Sequence, residues 1–175
     1  MISRLSESLA IRIKQANPDE TASVEVLKFA ITGLLNNSIT TFCILLIGAL
    51  TNHFWDICIV TIAYMLLRWF AGSYHFKSAK LCFIVSVVTI SPIPILANYI
   101  NDTATVILTL ISLVVTAIYA PTNVKRTRIK PKHYPIYKAI ALLIIGVNLI
   151  INSPLLAITF LFQTVSTIHI KEKIT

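Results

Sequence analysis

Two side chains in this sequence could do nucleophilic chemistry together. They lie in the polar stretch Arg68-Trp69-Phe70-Ala71-Gly72-Ser73-Tyr74-His75-Phe76-Lys77-Ser78-Ala79-Lys80-Leu81-Cys82, with Cys82 seven residues after His75. A cysteine attacks as its thiolate, and a histidine within hydrogen-bond reach can take the proton. A helix starting near Ser78 would aim its positive end at Cys82. Lys77 and Lys80 add positive charge nearby, and both features favour negative charge on the sulfur. Spacing sets a condition. On one continuous helix the two Cα atoms would sit ~10 Å apart, at a rise of about 1.5 Å per residue. That is too far for direct proton transfer. A working pair needs His75 on a bend that folds back, and Gly72-Ser73 permits one. The spacing alone leaves a plainer reading open, because cysteine is a common buried apolar filler. Metal binding lacks a third and a fourth ligand in the sequence.

The other polar features divide in the same way. Cys43 and Cys58 fall inside apolar runs and read as packing residues. Three cysteines without a CxxC pair argue against a disulfide framework or a zinc ribbon. His53, His133 and His169 stand at the ends of runs. The segment Asn123–Lys138 holds six cations: Lys125, Arg126, Arg128, Lys130, Lys132 and Lys138. It reads either as a topology determinant beside anionic lipid or as a dock for an acidic partner. The group Asn36, Asn37, Ser38, Thr40 and Thr41 either joins helices by hydrogen bonds or lines a cavity reaching the His75/Cys82 pair.

These residues must be held by elements of an unusual chain. It has 175 residues, 56% of them hydrophobic and 13% charged, with a net charge of +8. A soluble domain carries roughly 25% charged residues. Too few charges remain to coat a soluble nucleic-acid binder, so no nucleic-acid partner is expected. Disorder is excluded because its signature is low hydrophobicity. The composition predicts an all-α polytopic membrane bundle, with the lipid bilayer as its surroundings.

Six apolar segments are predicted as spans: Phe29–Leu50, Phe54–Leu67, Ser78–Ala97, Thr103–Ala120, Tyr137–Ile151 and Leu155–Ile170. Pro92 and Pro94 should kink the third. Residues 1–28 precede them as amphipathic interfacial helices. The first carries the stripe Ile2, Leu5, Leu9, Ile13 and Ala16. A second should start at Asn17-Pro18, where Asn17 can cap and Glu20 can complete a capping box. The first 28 residues lack the continuous apolar core of a cleaved signal peptide. Residues 29–170 form the membrane domain, with a chemistry-bearing loop at 68–82 and a basic loop at 121–138. Residues 171–175 form a tail.

Charge orients this arrangement. All fifteen Lys and Arg fall before the first span, around the connections between spans two and three and between four and five (Lys80 and Lys138 just inside the near ends of spans three and five), or after the sixth. The alternate loops Thr51–His53, Asn98–Asp102 and Asn152–Pro154 hold none. The positive-inside rule then places both termini, His75 and Cys82 on the cytoplasmic side. No Asp, Glu, Lys or Arg lies mid-span in this assignment, which speaks against a coupled transporter.

The pattern Arg68-x-x-Ala71-Gly72-x-Tyr74-His75-x-Lys77, with Cys82 seven residues after the histidine, resembles the accessory gene regulator B family. Tyr119-Ala120-Pro121 leading into the Lys/Arg-rich loop adds to the likeness. The sequence departs from the usual pattern at Trp69, Ser73 and Phe76. The resemblance implies a membrane cysteine endopeptidase of bacterial quorum sensing, with Cys82 as nucleophile, His75 as base and Arg68 in support. It implies cleavage of a precursor peptide at the C-terminal side of the future signal through an acyl-enzyme thioester. A substrate cysteine or serine then closes a thiolactone or lactone ring. No metal or organic cofactor is implied. The implied partner is a short precursor with an amphipathic N-terminal helix and an acidic tail, which Lys125, Arg126, Arg128 and Lys130 would hold. The resemblance also admits a homodimer, of which the sequence itself carries no sign. The competing reading is a non-enzymatic membrane protein, a peptide exporter or a scaffold subunit.

Overall fold

An apolar segment in lipid has no water to satisfy its backbone, so it closes its N–H and C=O groups on itself as helix. The computed structural model describes residues 2–18, 20–72, 79–121 and 131–168. Among these residues every regular element is helical: α1 (Ile2–Ala16), α2 (Val24–Leu50), α3 (Phe54–Ala71), α4 (Ala79–Ile90), α5 (Ile93–Ala97), α6 (Asp102–Tyr119), α7 (Tyr134–Gly146), α8 (Asn148–Ile151) and α9 (Pro154–Val165). Five stretches are long and apolar enough to cross a bilayer: Val24–Leu50, Phe54–Ala71, Lys80–Ala97, Asp102–Tyr119 and Tyr134–Ile151. The sixth expected segment is helical too, but Pro154–Val165 has only 12 residues. Its length of ~18 Å falls short of a hydrocarbon core of about 30 Å. This is a helical membrane bundle with five helical stretches of spanning length and the shorter apolar α9 packed among them.

The kink expected at the prolines is present. α4 stops at Ile90, and α5 restarts at Ile93 after the turn at Ser91-Pro92, where the proline ring removes a helix donor. A second interruption separates α7 from α8 at Val147, and the residue that follows it makes polar contacts. Asn148 is buried; its Nδ2 donates to Thr109 Oγ1 at 3.0 Å and to Ser153 O at 3.2 Å. Its Oδ1 accepts from Ser153 N at 3.1 Å. The amide thereby ties the α8–α9 turn, with Asn152 in the left-handed region at φ 52°, to α6.

The N-terminal region differs from expectation. The second helix begins at Val24, not at Pro18, and is capped by Ser23, whose Oγ accepts from Val26 N at 3.4 Å. Asn17 does not cap a helix; its Nδ2 donates to Glu20 Oε2 at 3.0 Å within the connector. Lys14 Nζ closes that connector by donating to Pro18 O at 2.6 Å and Thr21 O at 2.9 Å. From Val24, α2 runs unbroken past residue 28 and through Asn36-Asn37-Ser38. Polar side chains there cost less than opening the backbone would, and Thr40 Oγ1 folds back onto Asn36 O at 2.7 Å. α1 packs on α2 by its small face. Ser6 and Ala10 are fully buried, Thr32 Oγ1 donates to Ser6 Oγ at 2.8 Å, and Lys28 pairs with Glu7 at 2.8 Å. The larger stripe residues Leu5, Leu9 and Ile13 stay exposed.

Two apolar clusters hold the bundle. Ile44, Ile57, Val60, Ile90, Ile93 and Ile158 form one. Leu67, Ala71, Ala120, Ala141, Ile145 and Phe160 form the other. α9 supplies a residue to each and packs against α3, α5 and α6. The short α9 is therefore the helix its neighbours surround. Thr105, Thr109, Ser112 and Thr116 make up the buried face of α6, at helical spacing. Thr105, Thr109 and Ser112 return their hydroxyls to the preceding turn, at 3.0, 2.8 and 2.8 Å. Small residues of this kind let helix backbones approach closely in a membrane.

Candidate functional site

The site is built where α3 ends and α4 begins. α3 closes at Ala71, and Gly72 caps it with its N–H donating to Arg68 O at 3.0 Å. Gly72 has φ 77° and ψ −178°, a backbone region essentially restricted to glycine because a Cβ would clash. Its carbonyl accepts a 2.9 Å hydrogen bond from Nε2 of Gln163, which is fully buried on α9. Ser166 Oγ in turn donates to Gln163 O at 2.6 Å. The chain thus leaves α3 in a direction that a residue 91 positions later helps to fix.

Seven residues after Gly72, Ala79 begins α4. Cys82 is in the first turn of that helix and half-buried. It shares its side of α4 with Phe83, Ser86, Val87 and Ile90, whereas Leu81, Ile84, Val85 and Val88 are exposed. The sulfur therefore belongs to the face that α4 turns toward α2 and α3. Cys82 is thus near the N-terminal end of α4, where the positive end of a helix dipole lies.

Arg68 lies in the last turn of α3, where a cation suits the negative end of the helix. Its Nη1 donates to Tyr64 Oη at 3.3 Å, and the guanidinium sits 6.0 Å from the Tyr64 ring centre. His75 lies outside the described residues, as do Lys125, Arg126, Arg128 and Lys130. Cys43 and Cys58 are half-buried in α2 and α3. His53 pairs with Asp56 at 3.0 Å at the start of α3, at the other end of that helix from Arg68. Asn37 is exposed on α2. The residue that sequence reasoning missed is Gln163. Its one signal was being the single amide in the last apolar run.

A family model described as accessory gene regulator B matches residues 6–171. This chain belongs to the accessory gene regulator B family. A protein of Halalkalibacterium halodurans called AgrB-like is 32% identical over 102 residues, covering 57% of this chain and 52% of that relative. The chain thus spans about half the length of that relative. The accessory gene regulator protein B of Staphylococcus saprophyticus subsp. saprophyticus is 25% identical over 154 residues, covering 85% of this chain and 82% of that protein. No solved structure matches the chain. The AgrB family is a quorum-sensing regulator family linked to peptide processing. In this member it takes the form of a bundle with several apolar helices, a multi-pass membrane protein.

Proposed function

We propose that this AgrB-family chain is a membrane cysteine endopeptidase that matures a short signalling peptide. The observation that carries the reading is the placement of Cys82. It lies half-buried in the first turn of α4, on the bundle-facing side, one short segment after the glycine that ends α3. His75 belongs to that short segment by sequence. In the mechanism, His75 takes the proton from Cys82 and the thiolate attacks the carbonyl carbon at the C-terminal side of the future signal. The C–N bond breaks, His75 returns the proton to the departing amine, and the precursor's tail leaves. The acyl group stays on Cys82 as a thioester. A cysteine or serine of the bound peptide then attacks that thioester, closes a thiolactone or lactone ring and frees Cys82. No electrons change hands, and no cofactor is required. Arg68 supports the site by positioning or by stabilising charge.

The precursor is a short peptide with an amphipathic helix and an acidic tail, and Lys125, Arg126, Arg128 and Lys130 hold the tail. Both termini and the Cys82 end of the bundle face the cytoplasm, where new peptide is made. Loop charge supports this orientation.

The decisive experiment is co-expression with the cognate precursor. Cys82→Ala and His75→Ala should each abolish cleavage while the protein stays in the membrane. Cleavage that persists in Cys82→Ala overturns the enzyme reading in favour of an exporter or scaffold. Charge reversal at Lys125, Arg126, Arg128 and Lys130 should weaken processing and its salt sensitivity; unchanged processing removes the docking role. Reporter fusions after residues 100 and 130 should fall on opposite sides of the membrane. The same side for both overturns the orientation.

A further inference from the structure

We infer that Gln163 is a positioning residue for the proposed cleavage: it sets where the chain leaves α3 and hence where the segment carrying His75 begins. This rests on the endopeptidase reading above. Three observations carry it. Gln163 is fully buried, yet its Nε2 makes a 2.9 Å hydrogen bond across the bundle to a backbone carbonyl rather than within its own helix. The carbonyl it selects belongs to Gly72, whose φ of 77° and ψ of −178° turn the chain out of the helix. Ser166 Oγ donates to the backbone carbonyl of Gln163 at 2.6 Å, so the last turn of α9, which carries the amide, is itself tied down.

The physical argument is one of reach. Gln163 is fully buried, and a buried amide donor without a partner is costly. The half-buried carbonyl of Gly72, at the end of α3, meets that need. His75 follows Gly72 by three residues, and three residues reach at most about 11 Å. An anchor at Gly72 therefore fixes the point from which the stretch carrying His75 sets out. A buried donor on α9 makes that anchor depend on the helix at the centre of the bundle. A displacement of ~1 Å in such a geometry costs on the order of a hundredfold in rate.

The test uses the full-length protein in membranes with Cys43→Ala and Cys58→Ala, so that Cys82 is its single thiol. Gln163→Met keeps the length of the side chain and removes the donor. Gln163→His keeps an N–H. Precursor cleavage should slow about 10- to 100-fold in Gln163→Met. The loss should lie in the rate of the chemical step, with KM unchanged. The rate of Cys82 alkylation at neutral pH should fall to that of His75→Ala, and Gln163→His should recover part of both losses. Wild-type alkylation and cleavage in Gln163→Met overturn the positioning role. A loss confined to the amount of folded protein, with normal rates per folded molecule, also overturns it. Should Gln163→Met fail to reach the membrane, Gln163→Asn keeps the amide but withdraws it by one methylene, and the same two rates decide. Failure of the endopeptidase reading looks different: Cys82→Ala still cleaves, and His75→Ala alkylates at the wild-type rate.

Discussion

Replacing Gly72 by alanine probes the junction between α3 and the proposed catalytic segment. At φ 77° and ψ −178°, a residue with a Cβ is strained by about 1–3 kcal/mol. The usual gain of about 0.4–1 kcal/mol from restricting the unfolded chain does not apply, because it requires a compatible native backbone. The chain has two responses. It keeps the geometry and carries the strain, or it rotates φ to negative values and withdraws its carbonyl from Gln163 Nε2, now at 2.9 Å. The second response forfeits a hydrogen bond with a net value of about 0.5–1.5 kcal/mol. The lower of the two costs sets the stability loss, so about 0.5–1.5 kcal/mol is expected. For a chain of this size that lowers the melting temperature by roughly 1–6 °C. Precursor cleavage, measured well below that temperature on detergent-purified or reconstituted protein, should fall on the order of a hundredfold, because rotation at Gly72 re-aims the next residues. Gly33→Ala is the control. Gly33 lies within α2 with no atom within 4 Å of an added Cβ, so alanine there should stabilise by about 0.5–1 kcal/mol. Wild-type melting and cleavage in Gly72→Ala would refute the reasoning. Lowered melting with full activity per folded molecule would leave the strain standing and remove its link to chemistry.

Further outcomes follow from the packing. Gly48→Ala places a Cβ 2.9 Å from Ile57 Cβ and Cγ1; forcing α2 and α3 apart should cost about 1–3 kcal/mol, read as a fall in melting temperature. Asn148→Leu removes two donated bonds and one accepted bond. At about 0.6 kcal/mol each this lowers stability by roughly 2 kcal/mol, and an unchanged melt would show that the α8–α9 turn holds without them. Ala10→Leu overfills the α1–α2 contact, where Ala10 is fully buried, and should cost about 1–3 kcal/mol. Leu9→Ala, on the neighbouring exposed stripe, should change melting in detergent by less than about 0.5 kcal/mol.

Much of the fold was legible because lipid imposes one rule on every apolar run. A segment such as Asp102–Tyr119 has helix as its only way to satisfy its backbone, and periodicity was not needed to say so. The kink at Pro92 was legible because it is covalent. The start of α2 was not. Asn17-Pro18 and Ser23 are both competent N-cap signals, and the choice fell to Ser23 once Lys14 had bound the carbonyls of Pro18 and Thr21. Nor was the packed face of α1 legible. The Ile2–Leu5–Leu9–Ile13–Ala16 stripe reads as the face of a surface-lying amphipathic helix and does not say which side meets α2. Ser6 and Ala10 make that contact, because small residues let helix backbones approach closely.

By itself the sequence determined the kind of molecule, a helical membrane protein with its cations in alternate loops. It also determined the short list of residues that could do chemistry, since a thiol, an imidazole and a glycine that permits a bend are chemical facts about single positions. Only the tertiary structure decided how one of those positions is held. The Gln163–Gly72 bond spans 91 residues, and no local pattern encodes which buried carbonyl an amide on a distant helix will meet. That is settled when the small residues of α6 and the short α9 come together. Their approach brings one donor within 2.9 Å of the point where the chain leaves α3.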